Sequence, residues 1–365
     1  MKVEFIDLKS RYKLEKKEIL SCINKILKKG NLVLTKELEE FENLICKYTG
    51  AKYCVGLNSG TDALMMSLWA LGIRKGDEVI TSPISFIATA GAIMHVGAKP
   101  VFVDVKEDFN IDADKIEEKI NSKTKAIMPV HWTGRMCNMN KIKSIAKKHK
   151  LFLIEDAAQA MGSYFNNIHA GRYSDISAFS THPLKNLNAL GDGGFVLTDK
   201  KNLYKKIKLN RNHGLKSRDN VEFFGLNSRL DVLNAEVLKF RLKKLRDINA
   251  KRRNNVSIYR KNLKIKNIKI LEDGKNEINS YVMFLIQAEK RDSLQKFLTK
   301  KKIQSLIYYS KPLHMHKASK ILQVKKGSLP MAEKLASKVL ALPHHQNLTK
   351  KQILYVCNKI KEFYN

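Results

Sequence analysis

One lysine among 68 lysines and arginines is set apart by its surroundings. It lies in Ser180-Thr-His-Pro-Leu-Lys185-Asn-Leu-Asn-Ala-Leu-Gly191-Asp-Gly-Gly194, between a proline and a glycine-rich turn. Asp175–Phe179 before it and Phe195–Thr198 after it are short β-prone runs, so the spacing places Lys185 on a loop between two strands. Upstream, the apolar run Leu151–Ile154 passes directly into Glu155-Asp156-Ala-Ala-Gln159. That pattern reads as a buried strand with carboxylates at its C-terminal end, where open α/β sheets bind ligands. An acid to face a ring nitrogen and an amine to form a Schiff base is the pair that pyridoxal phosphate requires. The carboxylate keeps the pyridine ring protonated and electron-accepting, and the lysine carries the cofactor and moves a proton when displaced. Composition alone would make Lys185 a solvated surface group; the flanking pattern is what selects it.

Two further stretches fit the same chemistry. Asn58-Ser59-Gly60-Thr61-Asp62 stands at a strand-to-helix junction, where small residues let backbone N–H groups close around an anion. The same residues also read as an ordinary helix N-cap. Phe86 opens the helix after the second strand and is either a ring to stack on a pyridine or a core residue.

The elements that must position these residues alternate in type. Helices are expected over residues 11–29 and Lys36–Tyr48, each closed by a glycine, Gly30 and Gly50. From Lys52, strands at Tyr53–Leu57, Glu78–Ile80, Val101–Val103, Ala126–Val130 and Leu151–Ile154 alternate with helices at Asp62–Leu71, Phe86–His95, Ala113–Ile120 and Asn140–His149. This is the α/β pattern of a mostly parallel sheet with right-handed crossovers. A long basic helix follows at Val237–Leu263. The chain then changes to an α+β pattern, with strands at Ile268–Ile270, Tyr281–Ile286 and Ser305–Tyr309 and helices at Arg291–Lys301, Leu329–Ser337 and Lys350–Phe363. Two domains are expected, 1–249 and 250–365.

Bulk properties narrow the field. With 44% hydrophobic and 28% charged residues the chain reads as a soluble globular protein. No apolar stretch is long enough to span a bilayer and the N-terminus lacks a signal-peptide core, so a cytoplasmic location is expected, with no membrane partner. Five scattered cysteines show neither a CxxC pair nor a disulfide-like spacing, and no metal site is suggested. The net charge of +33 raises the question of nucleic acid. The basic residues are interleaved with acids along the whole chain, however, with no detached basic tail. A field that draws in an anionic, diphosphate-bearing substrate is the better reading.

Glu155-Asp-Ala-Ala-Gln159, Phe179-Ser-Thr-His-Pro-Leu-Lys185 and Gly191-Asp-Gly-Gly194 together resemble the signature of the DegT/DnrJ/EryC1/StrS sugar aminotransferases, a family of fold-type I pyridoxal phosphate enzymes. The resemblance runs from about Phe5 to the C-terminus. It implies an aspartate-aminotransferase-like fold, with a seven-stranded-type sheet sandwiched by helices and a smaller C-terminal domain. It also implies roles: Lys185 and Asp156 as catalytic residues, Ser59, Gly60, Thr61 and Ser180 around the cofactor phosphate, Phe86 on the ring and Gln159 on its phenolic oxygen. Asn227 would reach the phosphate of the other subunit in a homodimer, with Arg229 near it or the substrate, and Tyr309 and His314 at the mouth of the sugar site. The implied reaction moves an amino group from L-glutamate to a nucleotide-linked keto-deoxysugar for glycan or lipopolysaccharide assembly. Asn227-Ser-Arg-Leu-Asp231 looks like the branch that aminates dTDP-3-keto-6-deoxyhexoses; a 4-keto sugar on UDP or GDP is the alternative. Relatives that dehydrate such sugars replace the lysine with histidine, and Lys185 speaks against that activity. A non-catalytic sensor built on the same fold is a further reading.

Overall fold

The computed structural model describes residues 1–365. Helices α1 (Leu8–Lys29) and α2 (Lys36–Thr49) lead into β1 (Tyr53–Leu57), α3 (Gly60–Ala70), β2 (Glu78–Thr81), α4 (Ile87–His95) and β3 (Lys99–Phe102). Then come β4 (Thr124–Met128), α5 (Met139–Lys148), β5 (Phe152–Asp156), the hairpin strands β6 (Tyr164–Phe165) and β7 (Ile168–His169), β8 (Ile176–Ser180) and β9 (Gly194–Thr198). Gly30 and Gly50 close the first two helices in left-handed conformation, as the sequence predicts.

Seven strands form one sheet in the order β1-β9-β8-β5-β4-β2-β3. All run parallel except β9, which pairs antiparallel with β1 and β8. Successive residues of β5 face opposite layers: Leu153 joins a core of 33 buried residues that includes α2, α5 and part of a later helix, and Ile154 joins one of 20 that includes α3 and α4. The sheet is therefore buried on both faces, which explains its near-continuous apolar strands.

After the sheet come α6 (Lys201–Asn210), absent from the sequence reading, a short hairpin of β10 (Leu215–Ser217) and β11 (Asn220–Val221), and α7 (Val232–Asn262). Leu238, Leu242 and Leu245 of α7 pack in the larger core, whereas Val256 and Tyr259 pack in a separate core with the C-terminal elements. The expected boundary at 249/250 falls inside this helix. The remaining elements are β12 (Ile268–Lys269), β13 (Glu277–Ile278), β14 (Phe284–Ala288), α8 (Arg291–Lys300), α9 (Pro330–Lys338), β15 (Val339–Leu342) and α10 (Lys350–Tyr364). An antiparallel sheet β12-β14-β15 carries α8 and α10, while β13 pairs with β6 of the larger lobe.

Two expected elements take another form. Ala113–Ile120 is two single 3₁₀ turns, Ala113–Lys115 and Glu117–Lys119, in place of an α-helix. The Asp112 carboxylate accepts the Asp114 N–H and starts a tight turn, and the segment is too short for an α-helical nucleus to propagate. Ser305–Tyr309 is not a strand but a single bridge, Leu306 to Ala341. The edge of β14 is already taken by β15, a strand the sequence reading did not foresee, and the tyrosines turn into the cleft.

Candidate active site

A cleft of about 390 Å³ opens at the C-terminal ends of β1, β5 and β8. That is within the range of small-molecule sites. Ser59, Gly60, Thr61, Phe86, Asp156, Gln159, Ser180, Lys185 and Tyr309, all predicted from sequence, line it together.

The strand period sorts the two carboxylates that end β5. Asp156 faces the cleft; Glu155 faces the opposite layer, fully buried, where it accepts N–H groups of Gly171, Tyr173 and Ser174 at 2.7–3.1 Å. Cys137 N–H donates to His131 Nδ1, so the other ring nitrogen carries the proton and donates to Glu155 Oε2 at 2.8 Å. Burial pushes the Glu155 pKa up, but these donors outweigh it and hold it below its ordinary value. Glu155 is thus an anchor for the 171–174 turn.

Asp156 is 4% exposed. Thr89 Oγ1 donates to its Oδ2 at 2.7 Å, and Ala158 N–H to its Oδ1 at 3.2 Å. Because Thr89 spends its proton on Asp156, the Ser85 hydroxyl 2.6 Å away donates to Thr89, giving a relay Ser85 to Thr89 to Asp156. Burial raises the Asp156 pKa despite these donors and the nearby Lys185 charge. A buried acid in this state is stabilised as an anion by a cation brought against it.

Lys185 is held by a turn in which its N–H donates to His182 O at 2.9 Å. The ammonium is desolvated in the cleft and its pKa falls to about 8, with the Asp156 charge opposing the shift. An amine so adjusted is available as a nucleophile near neutral pH.

The glycines beside it are required by contact. A Cβ on Gly60 would lie 2.7 Å from Ser180 Cβ, and one on Gly194 would lie 2.5 Å from the Ser59 carbonyl. Gly194 sits in register between Leu57 and Ser180, so the Ser59–Gly60 backbone passes directly over it at the N-terminus of α3. Ser59 Oγ accepts the Asp62 N–H at 3.0 Å. The N-cap reading therefore holds, and the hydroxyl proton is still free to donate to an anion.

Gln159 Oε1 accepts the Thr133 N–H at 2.8 Å, which leaves its NH₂ group as a donor. Phe86 is 55% exposed at the N-terminus of α4, not a core residue. Its ring is 6.4 Å from Tyr309, which in turn is 5.4 Å from Trp132.

Three candidates lie outside the cleft. His314 is buried beside Phe102, with Nε2 3.1 Å from Glu333 Oε1. Asn227 is exposed and bridges Asn212, and Arg229 Nη1 donates to Asn212 Oδ1 at 3.3 Å. The sequence reading missed Thr89 and Ser85, though Thr89 follows Phe86 by about one helical turn. It also missed Phe5–Leu8, Arg11, Arg252, His344 and His345, which line the cleft from both ends of the chain and from α7. No local signal separates Arg252 from the other basic residues of α7.

The cleft matches pyridoxal phosphate part by part: an amine, a buried acid needing a cation, a glycine cradle at a helix N-terminus, and an exposed aromatic ring. Residues 13–361 match the DegT/DnrJ/EryC1/StrS aminotransferase family. A Geobacillus stearothermophilus protein named "pleiotropic regulatory protein" is 39% identical, over 100% of this chain and 99% of its own. The Aneurinibacillus thermoaerophilus dTDP-3-amino-3,6-dideoxy-alpha-D-galactopyranose transaminase is 37% identical, over 99% of each chain. The crystal structure of S. venezuelae DesV in complex with a ketimine intermediate superposes with a TM-score of 0.97 at 35% identity, over 99% of this chain and 98% of that one.

Proposed function

Because this chain belongs to the DegT/DnrJ/EryC1/StrS aminotransferase family, with pyridoxal phosphate as its cofactor, we propose that it moves an amino group from L-glutamate to a dTDP-linked 3-keto-6-deoxyhexose. An amino acid and a keto sugar become a 2-oxo acid and an amino sugar, with no net oxidation. The observation that carries this reading is Lys185, tuned to about 8, in one cleft with the buried Asp156 and the Gly60 cradle.

Bound here, pyridoxal phosphate supplies an aldehyde that takes up an amino group and a ring that accepts electrons. Lys185 Nζ would hold the cofactor at rest and, once free, would move a proton at the reacting carbon. Asp156, steadied by Thr89, would keep the ring nitrogen protonated. Backbone N–H groups at Gly60–Thr61 and the hydroxyls of Ser59, Thr61 and Ser180 would bind the phosphate. Phe86 would cover the ring and the Gln159 NH₂ would donate to its oxygen. Tyr309, beside Phe86, would meet the sugar.

The dTDP-3-keto preference is supported by the form of the Asn227–Asp231 segment and by the likeness to a dTDP-3-amino-sugar transaminase. A homodimer is supported by apolar side chains left bare on the surface. Phe224 has a relative exposure of 103%, and Leu184, Leu190 and Ile87 are also exposed. Asn227, outside its own cleft, fits a phosphate contact in the other subunit, with Arg229 beside it. The reaction belongs to the assembly of a glycan or lipopolysaccharide amino sugar.

The test is an absorbance titration of the purified holoenzyme. L-Glutamate is expected to bleach the visible band with release of 2-oxoglutarate, and dTDP-3-keto-6-deoxyhexose to restore it. Lys185→Ala is expected to show no such band. A wild-type protein that stays colourless with added pyridoxal phosphate would sink the enzymatic reading and favour a sensor; restoration only by UDP- or GDP-4-keto sugars would replace the substrate.

A further inference from the structure

A lysine that moves a proton must be held in direction, yet Lys185 lies in residues 181–193 between β8 and β9, a stretch with neither strand nor helix. The bond from its N–H to His182 O closes a turn ahead of it and leaves the residues after it to be fixed from elsewhere. Helix α7 supplies that hold. Leu190 N–H donates to Asn234 Oδ1 at 3.1 Å, and Arg241 Nη1 donates to the carbonyls of Asn188 and Ala189 at 2.8 and 3.0 Å. Asn186, directly after the lysine, donates from Nδ2 to Asn249 Oδ1 at 2.8 Å. Residues 234, 241 and 249 follow one another at about two helical turns and so share one face of α7, along which the segment after Lys185 is stitched.

The bridge next to the lysine can be made in only one way. Asn186 and Asn249 are each 2% exposed. Asn186 Nδ2 also donates to Ser280 O at 2.8 Å, and Asn249 Nδ2 to Met161 O at 3.1 Å. A carbonyl only accepts, so each amide must turn its nitrogen to the carbonyl it meets, and Asn249 Oδ1 is left to receive Asn186. Turning either amide over would set like against like in a buried place. Ser280 extends the bridge, because its Oγ donates to Gln159 O at 3.0 Å. The Lys185 and Gln159 segments are thereby tied to one point of the chain between β13 and β14.

Resting on the aminotransfer reading, we propose that Asn249 is a positioning residue of the reaction: through Asn186 it holds Lys185 to α7, so that Nζ, once free of the cofactor, keeps the direction that proton transfer needs. Neither Asn249 nor Asn186 lines the cleft, so the effect passes through the lysine and leaves cofactor and substrate contacts as they are.

The test mixes holoenzyme with L-glutamate, protiated or deuterated at Cα, and follows bleaching by stopped flow. Asn249→Leu keeps the shape without the hydrogen-bonding atoms. It is expected to slow bleaching by roughly ten- to a hundredfold and to raise the deuterium isotope effect, because a misplaced base makes proton transfer the slow step, with little change in the glutamate concentration for half-maximal rate. Asn249→Asp, kept neutral by burial, retains an acceptor for Asn186 and is expected to recover most of the rate. In Lys185→Ala rescued by added methylamine, release of 2-oxoglutarate should be the same with and without Asn249→Leu, since no lysine is left to position. Where Asn249→Leu does not fold, Asn186→Ala removes the same bond from the other side and carries the same expectations. Bleaching at the wild-type rate would overturn the assignment. So would a slowing that persists in the rescued Lys185→Ala background, since the cleft as a whole would then be disturbed. A wild type that glutamate does not bleach would refute the aminotransfer reading and this inference with it.

Discussion

In the proposed reaction Lys185 and Asp156 divide the chemistry through their desolvation. Burial favours the neutral amine of Lys185, and the same burial leaves Asp156 in want of a cation. The sign has a measurable consequence. Only the neutral amine captures an aldehyde, and the Lys185 pKa is lowered to about 8 from an ordinary 10.5. The rate at which apoenzyme captures pyridoxal phosphate should therefore rise through about pH 8 and level off above it. A stopped-flow pH profile that keeps climbing toward pH 10 would show that the lysine is not tuned. Of these groups, Lys185 and Asp156 were legible in the sequence because each has a local frame, a turn and a strand end. Thr89 was not, because its role depends on a contact with a residue 67 positions away.

At the scale of elements, the proposed phosphate cradle depends on β9 running antiparallel between β1 and β8. Gly194 at its start lies under the Ser59 carbonyl with no room for a side chain. Gly194→Ala is expected to push the Ser59–Gly60 backbone out of place at an overpacking cost of roughly 1–3 kcal/mol. Taken up by the cradle, that is about a five- to hundredfold loss of cofactor affinity, measured by equilibrium dialysis of the apoenzyme. An unchanged affinity would show that the loop tolerates the shift. The Gly-Asp-Gly-Gly pattern announced a turn, but the reason for its last glycine is the close approach of the Ser59–Gly60 backbone at the N-terminus of α3, visible only once the sheet is assembled.

For the whole molecule, one chain folds the cleft yet leaves Phe224 bare and Asn227 outside it. With Val221 and Leu226 also exposed beside it, Phe224 fits an apolar association patch. Phe224→Asp is expected to weaken the proposed homodimer. Sedimentation should show monomer at concentrations where the wild type is paired, with activity falling as monomer appears. A variant that sediments as wild type would remove Phe224 from the interface.

The amino-acid sequence by itself determined the alternation of strands and helices, the sheet-end position of Asp156 and the loop position of Lys185. These follow from periodicity, turn residues and helix caps, which act over a few residues. Only the tertiary structure separated Asp156 from Glu155 by the face each presents, turned Tyr309 into the cleft and His314 away from it, and made 113–120 a pair of tight turns. It alone brought Arg11, Arg252, His344 and His345 to one cleft. Such outcomes are set by which distant surfaces pack together, and no single-chain spacing carries that information.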